Sequence, residues 1–144
     1  MSIDNHVIQR LNKHIGELPQ RFNNIPEEQR LQRPAPGKWS KQEIIGHLVD
    51  SAINNLKRFT EIQFLPQPYT VIRYQQDNVV MVNHYQQLPI THLLDLWQLL
   101  NKQIAYVINN IPSDKLAYVV ITPSGEEKNL EWLIGAYVEQ MALH

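Results

Sequence analysis

Apolar residues recur every three or four positions through most of this chain, which is the period of an amphipathic α-helix. The first such run extends from Ile3 to Phe22, and Pro19 is expected to end or kink its helix. A short helical turn is expected at residues 25–32. The second long helix lies within the segment Lys38–Phe59 and must stop before the Pro66-Gln67-Pro68 break, since proline disfavours helix at the preceding residue.

The second half of the chain repeats this pattern after a connecting stretch from Tyr69 to Leu88. Pro89 suits the first turn of a third helix, whose apolar stripe extends to Ile111. In residues 117–129 apolar and polar positions then alternate, as in β-strands, around a Pro-Ser-Gly turn. Helical periodicity returns at Leu130. The pattern predicts a single all-α domain over residues 1–144. Its architecture is an up-and-down four-helix bundle with a long connection between helices 2 and 3 and a short β-hairpin before helix 4.

The second helix carries a polar stripe headed by a histidine. Ser40 and Glu43 have the spacing of a capping box, which places the start of the helix. At about 100° per residue the stripe consists of His47, Ser51, Asn54 and Arg58, with Asp50 nearby. The stripe either faces water or lines a functional site. Asp50 lies one turn from His47, so it is either a solvated carboxylate or a residue that orients or joins His47 in binding.

Composition excludes several functions. The formal net charge of −1, with no basic run, disfavours nucleic acid as a partner. The chain contains no cysteine, so it has no disulfide, no thiolate metal site and no thiol nucleophile of its own. The sequence shows neither a signal peptide nor an apolar run long enough to span a membrane. We therefore expect a cytoplasmic protein that does not associate with membranes.

The fourth helix provides further candidate ligands for a divalent metal. Gln140 and His144 are four residues apart and fall at the edge of the apolar stripe, so they point partly inward. A histidine pair at this spacing, with a third histidine on a neighbouring helix, suits a metal centre with open positions. Here the first member of the pair is Gln140, whose amide is a much weaker ligand than imidazole for zinc or nickel. A weaker site at His47 and His144, aided by Gln140, Asp50 or water, is one interpretation.

The remaining histidines and tryptophans have simpler explanations. His6, His14, His84 and His92 have no helical partner that makes a ligand set, so we expect them to be exposed or structural. Trp97 belongs to the core, while Trp39 and Trp132 pack near helix starts.

The apolar surface of the third helix predicts self-association. The apolar side chains of this helix, including Leu93, Leu94 and Leu96, point in several directions around its axis. Their apolar surface is larger than packing along one side of the helix would bury. We expect a two-fold homodimer, although the connection and the hairpin could instead cover this surface within one chain.

Four segments make the chain resemble the DinB/YfiT-like superfamily of four-helix-bundle proteins. They are PGKWSKQEIIGHLVDSAINNLKRF, RYQQDNVVMVNHYQQLPITHLLDLWQLLN, IPSDKL and NLEWLIGAYVEQMALH. Together they span most of the chain, and their order is more specific than any single motif.

This resemblance implies a divalent metal bound by one histidine of the second helix and a His-x-x-x-His pair on the fourth. The equivalent positions here are His47, Gln140 and His144. Gln140 departs from the pattern, which leaves two alternatives, a relaxed site of lower affinity or a bundle that has lost its metal chemistry. The sequence given ends at His144, where relatives continue the helix, so we expect fraying to weaken the site further.

For function, the resemblance implies metal-assisted transfer of a small thiol to an electrophilic small-molecule substrate. The metal, zinc or nickel, would lower the pKa of a low-molecular-weight thiol cofactor, because the chain has no cysteine. The competing class is a non-catalytic ligand-binding or dimeric interaction protein on the same bundle. A DNA-damage-response binding protein is a third class, and the charge disfavours it.

Overall fold

The computed structural model of the protein describes residues 3–142. Its six α-helices are α1 (Asn5–Asn23), α2 (Glu27–Leu31), α3 (Lys41–Glu61), α4 (Gln76–Asn83), α5 (Ile90–Asn109) and α6 (Leu130–Met141). Short 3₁₀ turns at Tyr85–Gln87 and Ser113–Ala117 precede α5 and the hairpin. The strands are β1 (Tyr69–Thr70), β2 (Val119–Ile121) and β3 (Glu127–Asn129).

The four long helices form the predicted four-helix bundle. Helix α5 packs extensively against both α3 and α1, and α6 contacts the same two helices. Helices α1 and α3 therefore lie diagonally across the bundle, although they come first among the four in the chain. The core is filled by apolar side chains from all four helices, including Leu11, Ile45, Phe59, Trp97, Ile104 and Ile134, each fully buried.

Helix α1 continues through Pro19 to Asn23 instead of ending there. Proline has no N–H to donate to the carbonyl four residues before it, here that of Ile15. The side-chain amide of Gln98 on α5 donates to this Ile15 carbonyl oxygen at 3.0 Å. A tertiary hydrogen bond thus replaces the missing helical one, which sequence periodicity cannot reveal.

Helix α3 begins as its capping box predicts. The Ser40 hydroxyl accepts a hydrogen bond from the Glu43 backbone N–H at 3.1 Å, and the Glu43 carboxylate accepts one from the Ser40 N–H at 3.0 Å. Arg33 adds a bidentate pair to Glu43, at 2.8 and 2.9 Å. This pairing lowers the Glu43 pKa, because the guanidinium favours the charged carboxylate.

The predicted hairpin before α6 is present. Strands β2 and β3 pair antiparallel, and Gly125 occupies the left-handed region at φ 88° in the turn between them. The long connection between α3 and α5, for which no elements were predicted, contains β1 and α4. Strand β1 pairs parallel to β2, so the connection is held against the hairpin.

Within residues 3–142, no helix combines the length and the apolarity needed to cross a lipid bilayer. The 20-residue helix α5, for example, carries polar and charged side chains such as Asp95, Lys102 and Gln103 on its exposed side.

Candidate functional site

One side of α3 faces a cleft that α6 closes from the opposite side. This α3–α6 cleft has a volume of about 590 Å³. Its lining comes from four parts of the chain, namely α3 (His47, Ser51, Asn55, Arg58), the segment from β1 into α4 (Val71, Arg73, Tyr74, Gln76, Asp77), the hairpin (Thr122, Pro123) and α6 (Trp132, Leu133, Ala136, Tyr137, Gln140). The cleft has the size typical of small-molecule sites, 300–1,000 Å³.

The polar stripe predicted on α3 therefore lines a cleft and does not simply face water. Three of its four predicted members, His47, Ser51 and Arg58, contribute to the lining. The fourth, Asn54, does not line the cleft, and its side chain donates to the Asp50 carbonyl oxygen at 2.9 Å. Asn55 takes its place, because four-residue steps from His47 through Ser51 drift only about 40° each around the helix.

His47 is a buried histidine, with 8% of its surface exposed. Its ring lies 4.8 Å, centroid to centroid, from the indole of Trp39, at an interplanar angle of 34°. Trp39 precedes the α3 capping box and covers the imidazole from outside the helix. The ring contact restricts the orientation of the imidazole, which is a requirement for any ligand or acid–base role.

Gln140, which is exposed, and His47 both line a small recess of the cleft, of about 20 Å³, whose other walls include Tyr137 and Met141. Its neighbour Tyr137 is fixed there, since its hydroxyl donates to the Asn101 side-chain oxygen at 2.6 Å and its ring packs edge-on against Phe59 at 5.7 Å. His144 lies outside the described residues. Of the three predicted ligands the structure thus brings two to one recess, and their role as metal ligands stays a prediction.

Asp50 is not a solvated carboxylate, which was one of the two alternatives that the sequence left open. Only 3% of its surface is exposed, and the Tyr85 hydroxyl donates to its Oδ1. Its Oδ2 accepts no hydrogen bond from residues 3–142. Burial raises the Asp50 pKa to about 6, although the Tyr85 hydrogen bond opposes that shift. Asp50 does not line the cleft.

Tyr74 lines the cleft and interacts electrostatically with the buried Asp50 carboxylate. Its hydroxyl is buried and has no hydrogen-bond partner within the described part of the chain. Burial, together with the negative charge of Asp50, raises the Tyr74 pKa to about 12, while Arg58 opposes the shift. Tyr74 is therefore a protonated hydrogen-bond donor at neutral pH.

The donor set on the described residues fits a weakly held metal and not a tight one. No group of three histidine, cysteine, aspartate or glutamate side chains in residues 3–142 could hold an ion. One imidazole and one carboxamide share the recess, and a tight transition-metal site in proteins needs three or four good ligands.

Several residues of the cleft escaped sequence reasoning. Arg73, Tyr74 and Trp132 line it, and Trp39 covers His47. Arg73 and Tyr74 belong to the connection between α3 and α5, where no helical periodicity shows which side chains share a face. Trp39 precedes the first residue of α3, so helical periodicity does not place it either. Trp132 falls outside the apolar stripe of α6. A large aromatic side chain at an exposed position of a predicted helix was the one feature of the sequence that could have indicated a binding residue.

The minor histidines and Trp97 lie as predicted. His6, His84 and His92 are exposed, His14 is half-buried, and Trp97 is fully buried. None of these four histidines lines the cleft.

Comparison with solved structures shows the same fold. One match is YfiT from Bacillus subtilis, described as a probable metal-dependent hydrolase with an unusual four-helix bundle topology. It has a TM-score of 0.85 and 20% identity, covering 98% of this chain and 83% of that one. A second is a mycothiol-dependent maleylpyruvate isomerase, with a TM-score of 0.71 and 12% identity, covering 96% of this chain. This chain spans 58% of that isomerase.

At these identities the structural matches establish the fold alone, and no protein of curated function is significantly similar in sequence. The family model described as the DinB superfamily matches residues 10–144, which include both the α3 stripe and the α6 recess. The expected resemblance is confirmed, and the chain belongs to the DinB superfamily.

Proposed function

We propose that this protein is a metal-assisted thiol transferase that acts on a small electrophilic substrate in the α3–α6 cleft. The observation that carries the proposal is the shared recess of His47 and Gln140, which opens on a cleft of small-molecule size. The names of the structural neighbours, one a probable metal-dependent hydrolase and one a mycothiol-dependent isomerase, support a metal and a thiol as the chemistry to test.

The residues that would hold the metal are His47, Gln140 and His144. When bound, zinc or nickel would lower the pKa of a thiol and so supply the thiolate nucleophile at neutral pH. The thiol has to come from outside the chain, because the sequence has no cysteine. His47 is already oriented by Trp39, and Tyr137 is fixed by Asn101, so the walls of the recess are preorganised.

A non-catalytic ligand-binding protein is the second candidate. Gln140 stands where the family resemblance implies a histidine, and the described residues hold no group of three histidine, cysteine, aspartate or glutamate side chains that could bind a metal. The same cleft would then bind a small molecule without reaction. The two candidates differ in whether metal binds at His47.

Metal titration separates them. Protein without an affinity tag is titrated with zinc and with nickel by calorimetry, alongside the variants Gln140→His and His47→Ala. We expect weak binding to the wild type, about tenfold or more tighter binding to Gln140→His, and loss of binding in His47→Ala. His92→Ala removes an exposed imidazole that does not line the cleft and serves as the matched control.

Equal affinities of the wild type and Gln140→His would show that position 140 is not a ligand. Absence of binding in the wild type and in Gln140→His would favour the non-catalytic candidate. If metal binds, the reaction of L-cysteine with 1-chloro-2,4-dinitrobenzene, followed by absorbance of the thioether, tests the chemistry. His47→Ala should then remove any acceleration over the metal-free protein.

A further inference from the structure

The end of the cleft away from His47 contains an arginine that is only partly accessible to water. Arg58 lies on the last turns of α3, and its Nη2 donates to the Ile72 carbonyl oxygen at 2.8 Å. The ion pairs formed among residues 3–142 are Arg10–Glu139 and Arg33–Glu43, so Arg58 has no carboxylate partner there. A guanidinium carries five N–H donors, and this contact uses one of its nitrogens.

Partial burial makes an anionic partner favourable for this guanidinium. The pKa of Arg58 is lowered, chiefly because burial disfavours the charged form, while Tyr69 and Tyr74 act in the opposite direction. Removing a cation from water costs free energy that an ion pair with good geometry can offset. A ligand carboxylate would supply such a pair, because two N–H groups of arginine match its two oxygens.

A second arginine lies at the same end of the cleft. Arg73 directly follows Ile72, whose carbonyl accepts the Arg58 hydrogen bond, and its side chain is exposed along the lining. Asp77 is the one carboxylate among the lining residues, and it belongs to the first turn of α4, where the helix dipole favours a negative charge. The lining thus carries two guanidinium groups against one carboxylate.

The same cleft offers an apolar surface for the rest of a ligand. Trp132 is 43% exposed although it is one of the largest side chains on α6, and it lines the cleft with Leu133 and Pro123. Lys128 already lies over its ring at 5.1 Å from the centroid, so one face of the indole is covered. An exposed aromatic beside a cationic end favours a ligand with a charged group and an apolar body.

We propose that Arg58 and Arg73 form a carboxylate-binding subsite and that the cleft takes an organic acid as its ligand. The subsite deepens the proposed function by naming a ligand class, and only its catalytic meaning rests on that proposal. Arg58 follows His47 by eleven residues, which is about 16 Å along the axis of α3. A ligand that is anchored at Arg58 and reaches His47 is therefore extended.

Benzoate and benzamide test the subsite without any metal. Both have the same flat apolar ring, and only benzoate carries a charge. In buffer with EDTA, calorimetry should show benzoate binding about tenfold or more tighter than benzamide. Equal affinities, or no benzoate binding up to about 20 mM, would overturn the proposal.

Substitutions then locate the charge that matters. We expect Arg58→Gln to weaken benzoate binding about tenfold, Arg73→Gln to weaken it severalfold, and Arg58→Lys to restore part of the loss. Lys57→Gln is the matched control, because it removes one positive charge from an exposed neighbour on α3 that does not line the cleft. An equal loss of benzoate affinity in Lys57→Gln would indicate that only the overall positive charge matters, and this would contradict the subsite.

Two further readouts keep the result unambiguous. Arg73 is exposed, so Arg73→Gln tests the subsite even if Arg58→Gln fails to fold. Inorganic phosphate that binds more tightly than benzoate, with the same dependence on Arg58, would overturn the assignment to carboxylates. Zinc titration of Arg73→Gln tests the metal site separately, so failure of the subsite leaves a distinguishable result for the proposed function.

Discussion

Asp50 is a carboxylate held inside the protein at an energetic cost. One oxygen is bound by the Tyr85 hydroxyl, and the other has no hydrogen-bond donor among residues 3–142. The charged form is therefore under-solvated, which is why its pKa is raised to about 6 from an ordinary value of 3.8. A carboxyl group of this kind stabilises the folded state more when it is protonated than when it is charged.

The first prediction concerns Asp50→Asn, which removes the titration and keeps an oxygen for Tyr85. Since the folded pKa of Asp50 is about 6, the folded state binds the proton more tightly than the unfolded state, and wild-type stability falls as pH rises from about 4 to about 6. Between about pH 4 and about pH 6, the free energy of unfolding of the variant should therefore rise by on the order of 2 kcal/mol relative to that of the wild type.

Urea denaturation at both ends of that pH window measures the difference. Asp95→Asn, at an exposed carboxylate on α5, is the control. A wild-type-to-variant difference that does not change with pH would show that Asp50 titrates as an ordinary carboxylate.

Among the elements, α3 and the 3₁₀ turn at Tyr85–Gln87 approach each other unusually closely. His84 ends α4 in the left-handed conformation, at φ 52°, and this turns the chain so that Tyr85 enters the core. The Tyr85 ring lies against the backbone at Gly46, where a Cβ atom would be 2.1 Å from the ring. The side chain of Gln42 adds two hydrogen bonds to this turn, at 2.6 Å to the Tyr85 carbonyl and 2.8 Å to the Leu88 carbonyl.

The second prediction is that Gly46→Ala destabilises the fold although alanine favours helices. The added methyl group requires Tyr85 to move, which also breaks its hydrogen bond to Asp50, and overpacking of this kind costs about 1–3 kcal/mol. Gly135→Ala on α6 is the matched control, because a Cβ there meets nothing within 4 Å. The free energy of unfolding of that control should rise by about 0.5–1 kcal/mol, because alanine has a higher helix propensity than glycine.

The midpoints of urea unfolding for the two variants provide the comparison. The expected changes have opposite signs, so the experiment separates packing at Gly46 from a general effect of glycine substitution. A Gly46→Ala midpoint at or above that of Gly135→Ala would contradict the close approach of Tyr85.

In the whole molecule, most of the apolar surface that suggested a dimer is used within one chain. Leu93 and Leu94 are buried and Leu96 packs against the core. What remains exposed on α5 is Leu99 at 64% and Tyr106 at 67%. These two are seven residues apart and so lie on one face of the helix.

The third prediction retains the homodimer and assigns this face of α5 to it. A specific interface should bury at least about 1,000 Å². Light scattering across a tenfold concentration range should give twice the chain mass of 16.9 kDa, and Leu99→Lys should lower it toward one chain. Phe64→Lys, at an apolar side chain that is 69% exposed beyond the end of α3, is the control. A constant mass of 16.9 kDa would exclude the dimer.

The amino-acid sequence by itself determined the long helices, the capping box of α3, the hairpin and the family of the bundle. The helices, the capping box and the hairpin depend on local periodicity and on short-range hydrogen bonds, so they are visible without tertiary contacts, whereas the family was identified from the resemblance of four sequence segments. The short elements β1 and α4 were missed, because two and eight residues carry too little periodicity to stand out from a connection.

Only the tertiary structure decided which polar residues form the site. His47 is covered by Trp39, and Asp50 is buried by Tyr85, which follows it by 35 residues. Arg73 reaches the cleft because β1 pairs with β2. Helical periodicity predicts which side chains share a face, but burial and electrostatic environment depend on residues distant in the sequence that the fold brings to that face.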